Sequence, residues 1–184
     1  MGAVLSYFEA LCDAMAMLAE HPKTVFIGQG VACAGTTMTD TLCKVPKQKL
    51  IEFPVAENLQ MGVAIGMSLE GWLPICIYPR WNFLLLAADQ LVNHLDRLPF
   101  MGYRPKVIIR TAVPVTHPFN PGPQHDDDFT SAFIRMLRTV ECCSLETAES
   151  IQMKYERAFA GDKSCLLVEH TALYGDVMPT GVGR

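Results

Sequence analysis

The sequence predicts a three-layer α/β/α sandwich built on a mainly parallel sheet, and three observations predict it. Short runs such as Val107-Ile108-Ile109 are apolar throughout, as strands covered by helices on both faces must be. Stretches with apolar residues at helical three-and-four spacing alternate with those runs. Of the 184 residues 50% are hydrophobic and only 18% charged, a composition that fills a core and excludes a disordered chain.

Along the chain, Phe8, Leu11, Cys12, Met15 and Leu18 predict a helix over residues 6–20, halted by Pro22, which cannot continue it. Thr24-Val25-Phe26-Ile27 is a strand ended by Gly28, and residues 28–35 form the loop after it. A second strand at 49–53, a second helix at 57–69 and a third strand at 73–78, entered through Gly71 and Pro74, follow. Leu84, Ala88, Leu91, Leu95 and Leu98 form one stripe, predicting a long helix over 82–98; a central strand follows at 107–109. Pro114, Pro118, Pro121 and Pro123 make 111–125 a rigid irregular loop, the kind of segment that carries function. Helices at 128–137 and 146–160 and a last strand at 165–169 precede an irregular tail from Thr171. The expected organisation is one domain over 1–184, with its core at about 6–176.

The net charge of −4, without any extended Lys/Arg cluster, excludes a nucleic-acid partner. The longest unbroken apolar run, 83–88, is far short of the ~20 residues that span a bilayer, and the N-terminus lacks the basic flank of a signal peptide. A soluble protein of the cytoplasm or an organellar matrix is expected. Met1-Gly2-Ala3-Val4-Leu5-Ser6 fits the loose myristoylation pattern at Gly2. The seven cysteines are scattered, with no zinc spacing and no C-x-x-C, and read as reduced thiols.

The most informative stretch is Phe53-Pro54-Val55-Ala56-Glu57-Asn58, because it places a carboxylate at a strand-to-helix junction. An acid desolvated there holds or shares a proton near neutral pH, which suits a heterocyclic nitrogen; the alternative is that Glu57 only favours the first turn of its helix. Phe83 likewise reads as core or as a flat stacking face, and His125 as a donor to an oxyanion or as part of a solvated acidic loop with Asp126-Asp127-Asp128. Gly28-Gln29-Gly30 after a strand is a weak nucleotide-loop pattern, lacking the third glycine.

Pro54-Val55-Ala56-Glu57, Gly62-Val63-Ala64-Ile65-Gly66, Gly71-Trp72-Leu73-Pro74-Ile75-Cys76, Asn82-Phe83 and Ala88-Asp89-Gln90-Leu91 resemble the pyrimidine-binding domain of transketolase-like thiamine diphosphate enzymes. The E1 β subunit of 2-oxo acid dehydrogenases is the nearest likeness. Val107 to Arg110, Gln124-His125, Leu167-Val168-Glu169 and Leu173-Tyr174-Gly175 continue it in order, so it spans about 6–176. The resemblance implies that Glu57 hydrogen-bonds the cofactor's aminopyrimidine nitrogen, that Phe83 stacks on that ring with Leu86 beside the cofactor, and that His125 faces substrate or acceptor. Three departures are plain: three aspartates follow the histidine and would repel an anionic acceptor, Leu86 stands where a more polar residue is usual, and the Lys44 to Lys49 segment does not match closely.

No Gly-Asp-Gly motif is present to hold Mg²⁺ and the diphosphate, and a pyrimidine-binding domain standing without the C-terminal domain usual in E1 β subunits and transketolases is expected. The resemblance therefore implies half a site. Mg²⁺ is expected on a diphosphate-binding α-like partner, with an α2β2-type assembly that is inactive when the partner is missing. The implied chemistry is E1-type decarboxylation of a 2-oxo acid with acyl or two-carbon transfer to a lipoyl arm or acyl carrier protein. The alternatives are the β half of a split transketolase and a non-catalytic assembly or regulatory subunit.

Overall fold

The computed structural model describes residues 5–114 and 122–175. The Gly2 acylation pattern, Pro118 and Pro121 of the proline-rich loop, and the tail beyond Gly175 lie outside the described residues.

Helix α1 (Tyr7–Glu20) opens with a capping box in which the Glu9 amide donates to Ser6 Oγ and the Ser6 amide to Glu9 Oε2. Strand β1 (Thr24–Gly28), the short α2 (Thr37–Asp40), β2 (Leu50–Glu52), α3 (Glu57–Leu69), β3 (Leu73–Ile77) and α4 (Trp81–Leu85) follow. Then come β4 (Ile108–Val113), α5 (Thr130–Met136), β5 (Glu141–Ser144), α6 (Ala148–Ala160) and β6 (Cys165–His170). The six strands form one sheet in the order β2-β1-β3-β4-β6-β5, and every pairing is parallel.

Consecutive strand residues point to opposite faces, and each face has its own core. Phe26, Ile75, Ile108 and Leu167 pack under α1 and α6 with Leu11, Met15, Leu18, Ile151 and Tyr155. Ile27, Cys76, Ile109, Leu166 and Val168 pack under α3 and the segment after β3, against Met61, Trp81, Leu84, Leu91 and Leu95. That division is why the inner strands carry apolar residues on both faces, and it makes the three layers predicted from the sequence.

The expected helix over 82–98 is broken. Its hydrogen bonds widen along the chain, from Ala87 N to Leu84 O, to Leu91 N to Ala87 O, to Asp96 N to Leu91 O, so that α4 gives way to a π-helical turn at Gln90–Leu95. The stripe shifts with it: Leu84, Ala87, Leu91 and Leu95 are buried, whereas Ala88 and Leu98 are only partly so. A tertiary anchor accompanies the change, because Asp96 Oδ1 accepts the amides of Arg138, Thr139 and Val140. The helix expected at 128–137 begins at Thr130, since Asp128 Oδ1 accepts the Thr130 amide at 2.8 Å. The one expected at 146–160 begins after a Thr147 cap. Strand β5 and helix α2 are additions to the predicted elements.

Gly28 pairs with Ile77 across β1 and β3, and a Cβ at Gly28 would lie 2.4 Å from the Ile77 carbonyl oxygen. Backbone cannot yield as a side-chain tip can. Gly28→Ala is expected to cost at least about 2 kcal/mol, read as a lowered denaturation midpoint at constant slope; an unchanged midpoint would show that β1 and β3 part freely.

Candidate functional site

A parallel sheet ordered β2-β1-β3-β4 has its switch point between β1 and β3, where the connections leave in opposite directions and open a crevice at the carboxyl ends. The candidate residues follow those ends. Glu57 opens α3 just after β2, Phe83 lies in α4 after β3, and His125 lies in the connection after β4.

Glu57 is 5% exposed, and its Oε1 is buried with no hydrogen-bond partner among the described residues. Its main chain is held firmly: the carbonyl accepts the Tyr78 hydroxyl at 3.1 Å. One turn along α3, the buried Gln60 Nε2 donates to Ile77 O at 3.0 Å and to Ile27 O at 3.4 Å, spanning the crevice between β1 and β3. Burial first, then the neighbouring Cys76 and Glu57, pushes the Tyr78 phenol far above its usual value, so it stays a neutral donor.

The rings of Phe83 and His125 face one another with centroids 5.8 Å apart and planes tilted by 31°. Leu86, at the end of α4, is 61% exposed. The structure thus brings Phe83 and His125 together and ties Glu57 through Tyr78 to the end of the strand preceding α4, while Leu86 stands on the surface. Gln60 Oε1, Trp81 Nε1, Asn82 Oδ1 and His125 Nδ1 share with Glu57 Oε1 the condition of being buried without a partner among the described residues. Buried polar atoms are paired as a rule, so a run of unpaired donors and acceptors along the connections after β2, β3 and β4 can receive polar groups from outside the chain.

Sequence reasoning missed Gln60 and Tyr78. The signal for Gln60 was an amide in a largely apolar helix, three residues from Glu57 and therefore on its face. It also missed what fills the glycine loop after β1. The Glu52 carboxylate accepts the amides of Gly30, Val31, Ala32 and Cys33 at 2.7 to 3.3 Å, with Gly30 at φ 63°. A nest that would cradle a phosphate is occupied by the chain's own carboxylate, which removes the nucleotide-loop reading.

Partial burial pushes the Glu52 carboxyl up, but the four amides outweigh it and hold it below its usual value. A depressed folded value stabilises above the unfolded pKa and is lost as pH falls through the folded one. Glu52→Gln is therefore expected to be less stable than the parent above about pH 5 and to converge with it as pH falls through the carboxyl's depressed folded value, in urea melts across pH. Parallel curves would contradict the role of the carboxylate charge.

Among the described residues no group of His, Cys, Asp and Glu could hold a metal ion, and no helix is long and apolar enough to cross a membrane.

A six-stranded parallel α/β sandwich whose candidate groups follow the strand ends defines a class, and the comparisons with known proteins agree. The chain belongs to the family described as "Transketolase, pyrimidine binding domain", whose model matches residues 3–176. The mitochondrial pyruvate dehydrogenase E1 component subunit beta of Chaetomium thermophilum is 27% identical over 179 residues, 93% of this chain and 46% of that protein. Its Caenorhabditis elegans counterpart is 26% identical over 135 residues, 73% of this chain and 38% of that protein. The chain spans about half the length of the curated relatives it matches. Among solved structures, one described as a split gene transketolase, inactive beta4 tetramer, superposes with a TM-score of 0.70 at 20% identity, covering 91% of this chain and 52% of that one. The transketolase of Leishmania mexicana gives 0.67 at 13% identity, over 91% and 25%. At such identities these two show the fold.

Proposed function

We propose that this chain is the pyrimidine-binding, β-like subunit of a two-component thiamine diphosphate enzyme acting on a 2-oxo acid. The observation that carries the reading is the buried, unpartnered carboxyl oxygen of Glu57 beside the crevice. An orphaned acid fits a ring nitrogen, with which it can share one proton, and it is otherwise costly to bury. Phe83 offers a flat apolar face for an aromatic ring, with His125 against it. Leu86 would extend the apolar wall. Tyr78 and Gln60 fix the start of α3, so the Glu57 side chain is positioned before anything binds. Bound thiamine diphosphate supplies the electron sink for bond cleavage next to a carbonyl. His125, whose Nδ1 is buried without a partner among the described residues, would meet substrate or acceptor.

The described residues offer no metal-holding cluster, which supports placing Mg²⁺ and the diphosphate on an α-like partner. Val55 and Leu59, 81% and 56% exposed, flank Glu57 in the chain, and Leu85 and Leu86 follow Phe83. Apolar residues so exposed beside a site suit cover by that partner, in an α2β2-type assembly located in the cytoplasm or an organellar matrix. The acceptor would be a lipoyl arm or an acyl carrier protein.

Titrating thiamine diphosphate with Mg²⁺ into this chain alone, and into the chain mixed with the protein that co-purifies with it, tests the reading. Saturable binding and turnover are expected only in the mixture; tight binding and turnover by the chain alone would refute it. An acceptor screen then separates 2-oxo acid chemistry from ketol transfer between sugars, the split-transketolase alternative.

A further inference from the structure

All seven cysteines are free thiols, and two of them, 31 positions apart in sequence, have been brought together by the fold. Cys12 Sγ on α1 and Cys43 Sγ on the segment after α2 lie 3.7 Å apart. Cys12 is 3% exposed, whereas Cys43 opens to solvent. The adjoining residues hold the same two segments in register, because Lys44 Nζ donates to Asp13. Two residues back from Cys43, the buried Thr41 hydroxyl accepts from Arg110 at 3.0 Å, so the segment is anchored to β4 as well. A thiol pair held from both sides differs from two cysteines that meet by chance. The other close pair in sequence, Cys142 and Cys143, stands on consecutive positions of β5, whose side chains leave the sheet on opposite faces.

We propose that Cys12 and Cys43 form a reversible oxidative modification site, closed to a disulfide by a low-molecular-weight disulfide of the glutathione type, which fastens the segment after α2 to α1. The 3.7 Å between the sulfurs has to close to the ~2.05 Å of a bond. The Cys43 thiolate attacks one sulfur of the oxidant and expels the other as a thiolate, leaving a mixed disulfide. The Cys12 thiol releases its proton to solvent, its sulfur attacks Cys43 Sγ, and the second small thiolate leaves. Two protein thiols are oxidised by two electrons and one oxidant disulfide is reduced to two thiols, so the step balances. Burial, followed by the neighbouring Cys43, pushes the Cys12 thiol up to about 12. Burial, the larger cause, remains after the mixed disulfide has formed, so Cys43, open to solvent, makes the first attack and closure by the Cys12 sulfur is the slow step.

The test is oxidation of the purified full chain with oxidised glutathione, followed by alkylation of remaining thiols, peptide mapping and thermal melts. The expected result is loss of two of the seven free thiols, with Cys12 and Cys43 recovered in one cross-linked peptide pair, a melting temperature raised by roughly 5 °C or more, and reversal of both by dithiothreitol. Cys43→Ser should abolish the cross-link and the shift, whereas Cys33→Ser should leave both. Retention of all seven thiols, a lasting glutathione adduct on Cys43 with Cys12 still free, or a bridge that persists in Cys43→Ser would each overturn the proposal.

Discussion

Glu57→Ala is expected to reduce turnover of the complex with the diphosphate-binding partner by at least ~10²-fold, the scale of a positioned acid–base group. Glu57→Gln should fall by a similar factor, since an amide of the same shape cannot share the proton. The same substitutions should leave the fold intact or strengthen it. The Oε1 atom has no partner among the described residues and lies out of water, so its native burial is a cost that alanine removes. The anchors that matter locally are main-chain and Gln60 bonds, which Glu57→Ala keeps. A rate that collapses while the urea midpoint holds or rises is the signature of a group kept for chemistry at the expense of stability. Steady-state rates of the complex together with melts of the isolated chain provide the readout. A rate within a few-fold of the parent would rule out the catalytic reading and leave an assembly or regulatory subunit.

What was legible in the sequence followed from periodicity and from residues that burial penalises. Strands buried on both faces announce themselves by uninterrupted apolar runs, and the start of α3 at Glu57 was visible because Pro54 halts the strand and an acid begins the apolar helix. Strand β5 was not visible: Glu141-Cys142-Cys143-Ser144 lies at the sheet edge, half-buried, with no apolar run to betray it. The break in the 82–98 helix was hidden for a different reason. Its apolar spacing is truly helical, and what accompanies the widened turn is an Asp96 carboxylate capping amides more than 40 residues away. The Glu52 nest was likewise a contact between distant segments, and a glycine pair looks the same whether phosphate or carboxylate fills it. For the candidate site, residue types pointed to Glu57, Phe83 and His125, but only the fold supplied the Phe83–His125 contact and the roles of Tyr78 and Gln60.

The largest stability effect is expected at Glu169, whose carboxylate and the Arg110 guanidinium form a fully buried pair across β4 and β6. Arg110 Nε donates to Oε1 at 2.6 Å and one terminal nitrogen to Oε2 at 3.0 Å, a two-pronged contact that the Tyr155 and Tyr174 hydroxyls complete by donating to the same carboxylate. Burial works to discharge Arg110, but Glu169 outweighs it and holds the guanidinium charged. Glu169→Ala leaves that charge buried and unpaired, and should cost about 3–5 kcal/mol. Replacing both partners with apolar residues, Arg110→Met with Glu169→Leu, should recover the part of the loss that lies in the widowed charge, while the Tyr155 and Tyr174 hydroxyls still lack their acceptor. Alkali provides a second readout. Burial, followed by the Glu169 charge, raises Tyr155 and Tyr174 well above their usual value. The folded chain keeps protons that the unfolded chain gives up at about pH 10, so stability is full below that pH and falls above it. Urea melts between neutrality and strong alkali should show this decline in the parent, and a smaller one in Tyr174→Phe, whose ring cannot ionise. A Glu169→Ala chain within 1 kcal/mol of the parent would mean that water reaches this pair, and that the tie between β4, β6 and the Tyr174 turn is no stronger than a surface ion pair.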